Sequence, residues 1–284
     1  MRTNQSARDF ENDLRLSSQI VAEYRRSLED AGSHDALPSL VAVHYRGGQQ
    51  ELQLGVDYAR SDDPLDRITG ARILGQLGLE RYSFLDPTLD QLISMLDDTD
   101  VRVVADVAEA LGHRQDVRAI PHLTSFIAHE DSGVRFGVVR GLSGHEEIAA
   151  IRGLIVLSRD QDDEVRNWAL CGLGSFIEAD TPEIRDALFR GASDPHDEAR
   201  GEALLGLASR GDRRVVELLQ EEIERESVGR LALCAAAEIA DSRLVEPLKR
   251  LKGDLEFDEK DLSDKWYQSD LDDAIARCSD ASLA

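Results

Sequence analysis

Six segments of the chain are versions of one another, and that self-similarity limits the fold more than any other feature. They read DPLDRITGARILGQLG (63–78), DTDVRVVADVAEALG (98–112), EDSGVRFGVVRGLSG (130–144), DDEVRNWALCGLG (162–174), DPHDEARGEALLGLASRGD (194–212) and ERESVGRLALCAAAEIAD (224–241). Each opens with acids, continues through an arginine and runs into a small-apolar helix. Most close on Leu followed by Gly or Ala. The arginines are Arg67, Arg102, Arg135, Arg166, Arg200 and Arg230, spaced by 35, 33, 31, 34 and 30 residues. Catalytic motifs do not recur at such intervals; stacked structural units do.

A second helix recurs between these segments. Its clearest copies are DVRAIPHLTSFI (116–127) and DSRLVEPLKRL (241–251), with weaker copies at 85–96, 146–157, 181–189 and 212–223. Each unit is therefore a helix A, a short turn and a helix B. Thr181 before Pro182 is a helix start, because the threonine accepts a free N–H and proline needs none at the first helical position. Pro121 and Pro247 fall early in their A helices, where a missing N–H costs least. Within 162–174, Val165, Ala169 and Leu173 share one helical face and belong to the core. Asp162 and Asp163 sit where a helix needs caps. Gly172 and Gly174 allow neighbours to approach closely.

The pattern resembles HEAT-like repeats of the short bacterial kind, as in phycobilisome-lyase repeat proteins, over roughly residues 49–251. The resemblance implies an all-α, right-handed alpha-alpha superhelix of about eight helix pairs. It implies no single activity, because the family includes scaffolds, inhibitors, transport factors and a few enzymes. One continuous domain is expected. Residues 1–48 form a helical cap with a long amphipathic helix over 8–30 and a repeat-like helix at 35–46. Residues 49–251 form the array. Residues 252–284 form an acidic cap that closes in a short helix at 268–278.

Composition narrows the chemistry. The 284 residues carry a net charge of −23, and only 5% are aromatic. That charge repels phosphate backbones and attracts basic partners. The alkylpurine-glycosylase type of HEAT protein, which grips DNA in a basic groove, is thereby disfavoured; no nucleic acid is expected. Cys171, Cys234 and Cys278 are odd in number and form no Cys-x-x-Cys pair, which suits reduced, buried thiols and a cytoplasmic location. The N-terminal sequence has no secretory h-region. The longest apolar run, LALCAAA at 231–237, is too short for a membrane span.

No catalytic residue, metal ligand or cofactor is expected. His129-Glu130 and His145-Glu146 invite comparison with the di-iron His-Glu pairs of HEAT-type deoxyhypusine hydroxylase. They lie half a repeat apart and cannot be equivalent. There is no Gly-x-Ser-x-Gly elbow and no Gly-x-x-x-x-Gly-Lys loop. The repeat arginines are expected to pair with carboxylates of their own or the next unit.

Partner choice should lie in the slots that vary between units. The positions one, two and five after the repeat arginine project from the B helices onto what the resemblance implies is a concave face. There Phe136 and Arg140, then Asn167 and Trp168, then Glu202 and Leu205 are the expected partner-binding residues, joined by Asp106 and Glu109 from a shifted unit. Phe136, Trp168 and Leu205 would form an exposed apolar stripe with acidic flanks. Trp168 could instead fill a gap between helices. The expected function is a non-enzymatic scaffold for a protein partner. The alternatives are an acidic inhibitor or immunity protein for a basic nucleic-acid-acting enzyme, and a bilin-lyase-like or other small-molecule enzyme.

Overall fold

A computed structural model describes residues 13–29, 40–78, 83–257 and 261–281. The described residues contain sixteen α-helices and no strand, and they fall into two compact units, Met1–Leu142 and Ser143–Ala284. The first unit holds α1 (Ser17–Glu29), α2 (Val41–Arg46), α3 (Gln49–Ala59), α4 (Pro64–Gln76), α5 (Leu85–Ser94), α6 (Val101–Arg114), α7 (Ile120–Thr124) and α8 (Ser132–Leu142). The second holds α9 (Ile148–Leu157), α10 (Asp163–Cys171), α11 (Pro182–Gly191), α12 (Asp197–Ser209), α13 (Val215–Ile223), α14 (Arg230–Ile239), α15 (Val245–Asp254) and α16 (Leu262–Asp280).

The helices pair as the repeat requires, an odd-numbered A helix packing on the B helix that follows it, from α3–α4 to α15–α16. B helices also stack on one another: α6 lies between α4 and α8, and α14 lies between α12 and α16. Neither member of a pair can bury its apolar stripe alone, so cohesion comes from the stacking.

Most B helices start on a residue whose side chain caps them; α14, which starts after Gly229, does not. Asp63, Asp100, Asp131 and Asp162 accept backbone N–H bonds through their carboxylates, and His196 does so through Nδ1. Counted from the cap, the leucine at the eleventh following position is Leu74, Leu111, Leu142, Leu173 and Leu207, each with 0% exposure. Val165 and Ala169 are core residues too. Small residues flank that leucine because the B helices cross there. A Cβ on Gly112 would stand 2.7 Å from the Arg140 carbonyl oxygen, and one on Gly206 would stand 2.7 Å from the Gly174 Cα.

The repeat arginines divide into two kinds. Those at the fourth position after the cap are Arg67, Arg135, Arg166 and Arg200. Each donates to carbonyls of the turn before its own helix: Arg67 to Ser61 and Asp62, Arg135 to His129 and Glu130, Arg166 to Asp160 and Gln161, Arg200 to Asp194. Carboxylates of the following repeat are bound with two nitrogens by Arg67 (Asp98, 2.6 and 2.9 Å), by Arg166 (Asp194, 2.7 and 3.0 Å) and by Arg200 (Glu222, 2.6 and 3.0 Å). The guanidinium fork suits this double duty, since one edge takes the carboxylate while the other closes the turn.

Arg102 and Arg230 do not belong to that set, although the spacing groups them with it. Arg102 stands two residues after its cap and folds back on Asp100. The same Asp-x-Arg turn starts A helices at Asp116–Arg118, Asp212–Arg214 and Asp241–Arg243. The fourth position of α6 is Val104, which is buried instead. Arg230 reaches Asp270 on α16 at 2.7 Å.

A second arginine device was not read from the sequence. Arg114 donates to the carbonyls of Leu77 and Ser83, and Arg210 to those of Leu173, Gly174 and Ile177. Both tie down the C-terminal end of the preceding B helix, whose last carbonyls have no partner within the helix.

The ends differ from expectation. α1 spans Ser17–Glu29, so residues 13–16 of the helix expected at 8–30 are not helical; α2 begins at Val41, so Leu40 of the helix expected at 35–46 is not helical either, and residues 8–12, 30 and 35–39 lie outside the described residues. α16 runs through nineteen residues rather than the eleven expected at 268–278. Asp261 caps it, Leu271, Ala274 and Cys278 bury one face, and the Tyr267 hydroxyl donates to the Val228 carbonyl at 2.9 Å. It is a full B helix.

Replacing Arg166 with Ala should cost about 3 kcal/mol, because it strands the nearly buried Asp194. Replacing Arg102, which is 61% exposed and bonded only to its own cap, should cost less than about 0.5 kcal/mol. Urea midpoints of the two variants measure the difference.

Candidate functional site

The expected partner-binding residues divide between the units: Asp106, Glu109, Phe136 and Arg140 in the first, Asn167, Trp168, Glu202 and Leu205 in the second.

In the first unit, α4 and α6 bound a cleft of about 280 Å³ lined by Arg72, Gln76, Asp106, Glu109, Ala110 and His113. Its charges are matched. Arg72 binds Asp106 and the Tyr24 hydroxyl, and Arg140 reaches Glu109 at 3.5 Å. Burial opposes the charge on Arg72, but Asp106 and Tyr24 outweigh it and hold the guanidinium ionised. Burial also lowers the pKa of His113.

The corresponding face of the second unit has a cavity of about 320 Å³ between α10, α12 and α14. Its lining includes Asn167, Glu198, Gly201, Glu202, Arg230 and Leu231. Here the charges do not balance. Asp197 pairs with Arg200, Glu222 with Arg200 and Arg225, and Arg230 with Asp270. Glu198 and Glu202 form no ion pair with lysine or arginine among the described residues. Burial pushes the Glu202 carboxyl up, and hydrogen bonds from Cys171 and Ser175 pull it partly back. Ser175 reaches Glu202 from the π-helical turn Gly172–Phe176 that ends α10. Such turns reorient side chains out of α-helical register.

Asn167 is only 9% exposed. Its Nδ2 donates to Glu198 Oε2 at 3.4 Å, and its buried Oδ1 has no hydrogen-bond partner among the described residues. It was expected to project outwards; it sits instead in the wall between α10 and α12.

The exposed apolar stripe does not form. Phe136, Trp168 and Leu205 are each half-buried. More exposed apolar side chains lie elsewhere, among them Ile148 and Val156 on α9. Leu205 and Trp168 do not line the cavity, whereas Asn167 and Glu202 do. Acidity, not apolarity, distinguishes this face.

Sequence reasoning missed Glu164 and Glu198. Glu164, His196 and Glu198 each bring one ligand atom within 4.8 Å of the others. They belong to different repeats, so no short motif announces them. His196 already spends Nδ1 on capping Ala199 N–H at 3.4 Å. The trio adds two further exposed carboxylates to the same face. The cysteines also depart from expectation. Cys278 is buried and its thiol donates to the Ala236 carbonyl at 3.3 Å, while Cys171 and Cys234 are half-exposed.

Comparison with known proteins agrees with this architecture. The HEAT-repeat family matches residues 53–144 and 151–240, well over half of the chain. The chain belongs to the HEAT-repeat family. Protein YibA of Escherichia coli strain K12 is 29% identical over 235 residues, covering 80% of this chain and 82% of its own. The crystal structure of E. coli YibA superposes with a TM-score of 0.65 at 25% identity, over 93% of this chain and 95% of that one. The CpcE–CpcF complex of phycocyanin lyase from Nostoc sp. PCC7120 gives a TM-score of 0.46 at 16% identity, covering 92% and 97%, which is too distant to bear on activity. No helix among the described residues is long and apolar enough to cross a membrane.

Burial of Glu202 has a measurable signature. Its raised pKa means that the fold penalises the charged form; the penalty is present at neutral pH and disappears as pH falls through the folded pKa. Glu202→Gln should therefore raise the melting temperature at pH 7. The gain should close by roughly pH 4, where unfolded glutamate is itself becoming protonated.

Proposed function

We propose that this HEAT-repeat chain is a binding scaffold whose second unit receives a basic segment of another protein on its B-helix face. The observation that carries this is the contrast between the two faces. Acids of the first unit's cleft are matched by Arg72 and Arg140, whereas Glu198 and Glu202 line a cavity, with Glu164 close to Glu198, and form no ion pair with lysine or arginine among the described residues. Uncompensated like charges on a folded surface cost free energy, and a cation of opposite sign relieves that cost. The net charge of −23 adds long-range attraction for such a partner.

Half-buried Trp168 and Leu205 lie on the same helices, α10 and α12, and supply apolar contact at the margin. Phe136 and Arg140 on α8 would contribute separately from the first unit.

Affinity capture from native lysate at low and high salt tests the scaffold. A protein partner should be retained at low salt and weakened severalfold by raising ionic strength, since exposed charge pairs are screened within about 8–10 Å. Glu198→Gln should weaken retention, and Trp168→Ala with Phe136→Ala should weaken it further. Unchanged capture by both variants would remove this face from partner binding. The acidic-inhibitor alternative rests on the same charge and predicts a nucleic-acid-acting enzyme as the captured protein. The lyase-like alternative predicts a coloured or ligand-loaded preparation.

A further inference from the structure

We propose that the solvent-facing side of α9 docks an amphipathic helix of another protein, one that carries two acidic residues a heptad apart with an apolar side chain between them. This surface is separate from the B-helix cavity, and its test does not depend on the basic-segment reading above.

Four residues form the surface. Ile148, Arg152, Val156 and Arg159 follow one another at i, i+4, i+8 and i+11, and all four are exposed. The opposite side of α9, with Ala150, Ile151, Leu154 and Leu157, is core. A surface helix ordinarily turns polar residues outwards. α9 instead keeps Ile148 at 68% and Val156 at 58% exposure, and it contains no acid.

The same slots are acidic elsewhere in the array. The buried pattern of α9 returns in α5 as Thr88, Leu89, Leu92 and Met95, and the outward slots there hold Asp86, Asp90 and Asp97. In α13, Glu217, Glu221 and Glu224 take the slots of Arg152, Val156 and Arg159. A chain with a net charge of −23 thus reverses sign on the outside of one A helix. Packing of the repeat does not require the reversal, since the acidic copies bury the same pattern.

These arginines are not engaged inside the molecule. Arg152, Arg159 and, on the adjoining α11, Arg190 form no hydrogen bond or ion pair among the described residues. The other described arginines of the second unit bind carboxylates or carbonyls. Acids that flank the surface are committed elsewhere. Glu146 accepts the backbone N–H groups of Glu178 and Ala179 at 2.6 and 3.2 Å, Asp160 accepts that of Asp162 at 2.9 Å, and Asp186 pairs with Arg214 at 3.4 Å. Desolvation, and then the charge of Arg159, lower the pKa of Arg190, so these two guanidinium groups stand near enough to repel each other. An incoming carboxylate relieves that repulsion.

Spacing favours a helix as the occupant. Arg152 and Arg159 are separated by about 10.5 Å of helical rise, the distance between side chains one heptad apart on a partner helix. Val156 lies between them, where the partner's apolar residue would cover it. A flat anionic membrane fits less well, because within this unit it would also meet the acids of α13, whereas a helix is only about 10 Å wide. Salt screens the remaining negative charge of the chain beyond about 8–10 Å, so a partner with few, well-placed acids is not turned away.

Fluorescence anisotropy of the whole chain with a labelled, alanine-based helical peptide tests this. The peptide carries two glutamates one heptad apart with leucine between them; its control has the same composition with the glutamates moved to the opposite side of the helix. The first peptide should bind with roughly 0.1 mM affinity, the scale of a small amphipathic contact, and the control at least about fivefold more weakly. Arg152→Glu with Arg159→Glu, both exposed and checked for folding by circular dichroism, should weaken the first peptide at least about tenfold, as like charges replace opposite ones. Arg152→Lys with Arg159→Lys should retain it within about threefold, since exposed pairs depend mainly on charge. Val156→Ser should weaken it severalfold. Equal binding of the two peptides, no binding of either, or indifference to the double glutamate variant would each overturn the inference. Sedimentation of the chain with phosphatidylserine vesicles without binding of the peptide would make the surface a lipid contact and overturn it as well.

Discussion

The interaction on which the stacking of several repeats depends is that of an arginine at the fourth position of a B helix, as at Arg67, Arg166 and Arg200, with the turn before its own helix and a carboxylate of the next repeat at once. Arg166 shows the logic. One side of its guanidinium satisfies the carbonyls of Asp160 and Gln161, and the other grips Asp194 in the next unit. A repeat array has few long-range contacts, so its units must be indexed to their neighbours by something directional. Apolar packing is not directional. The bidentate ion pair is, and its nearly buried partners Asp98, Asp194 and Glu222 make misregistry expensive.

Much of this was legible in the sequence because repetition averages out the accidents of any single segment. Six copies made a cap, an arginine, a leucine and small residues stand out, and in most copies the structure places them in cap, staple, core and crossing. Arg102 shows where the method fails. Asp-x-Arg turns and cap-plus-four staples both look like an arginine following acids, and only the distance from the cap separates them. Arg114 and Arg210 were overlooked for the opposite reason. Their partners are backbone carbonyls, which carry no letter in the sequence.

The candidate site was less legible. Slots that vary between copies are visible in the sequence, but what fills them depends on burial that one sequence does not reveal. Trp168 drew attention by its size and is half-buried. Asn167 beside it is ordinary in the sequence, and becomes notable only because its Oδ1 lacks a partner. Glu198 was read as one more acid before a helix. Its significance comes from the absence of a nearby cation, which is a property of three helices together.

Arg114 and Arg210 also set these two ends of the B helices apart from one another in acid. The staples at the helix starts need ionised carboxylates. Burial works against the charge of Asp98 and Asp194, but Arg67 and Arg166 hold both carboxyls below their usual range, so this support survives mild acid and is lost as pH falls through those lowered values. The ties at the helix ends join arginine to peptide carbonyls, and neither partner titrates between neutral and strongly acidic solution. Acid therefore unfastens the repeat from one margin only, leaving the far margin hinged on bonds to which protons are indifferent.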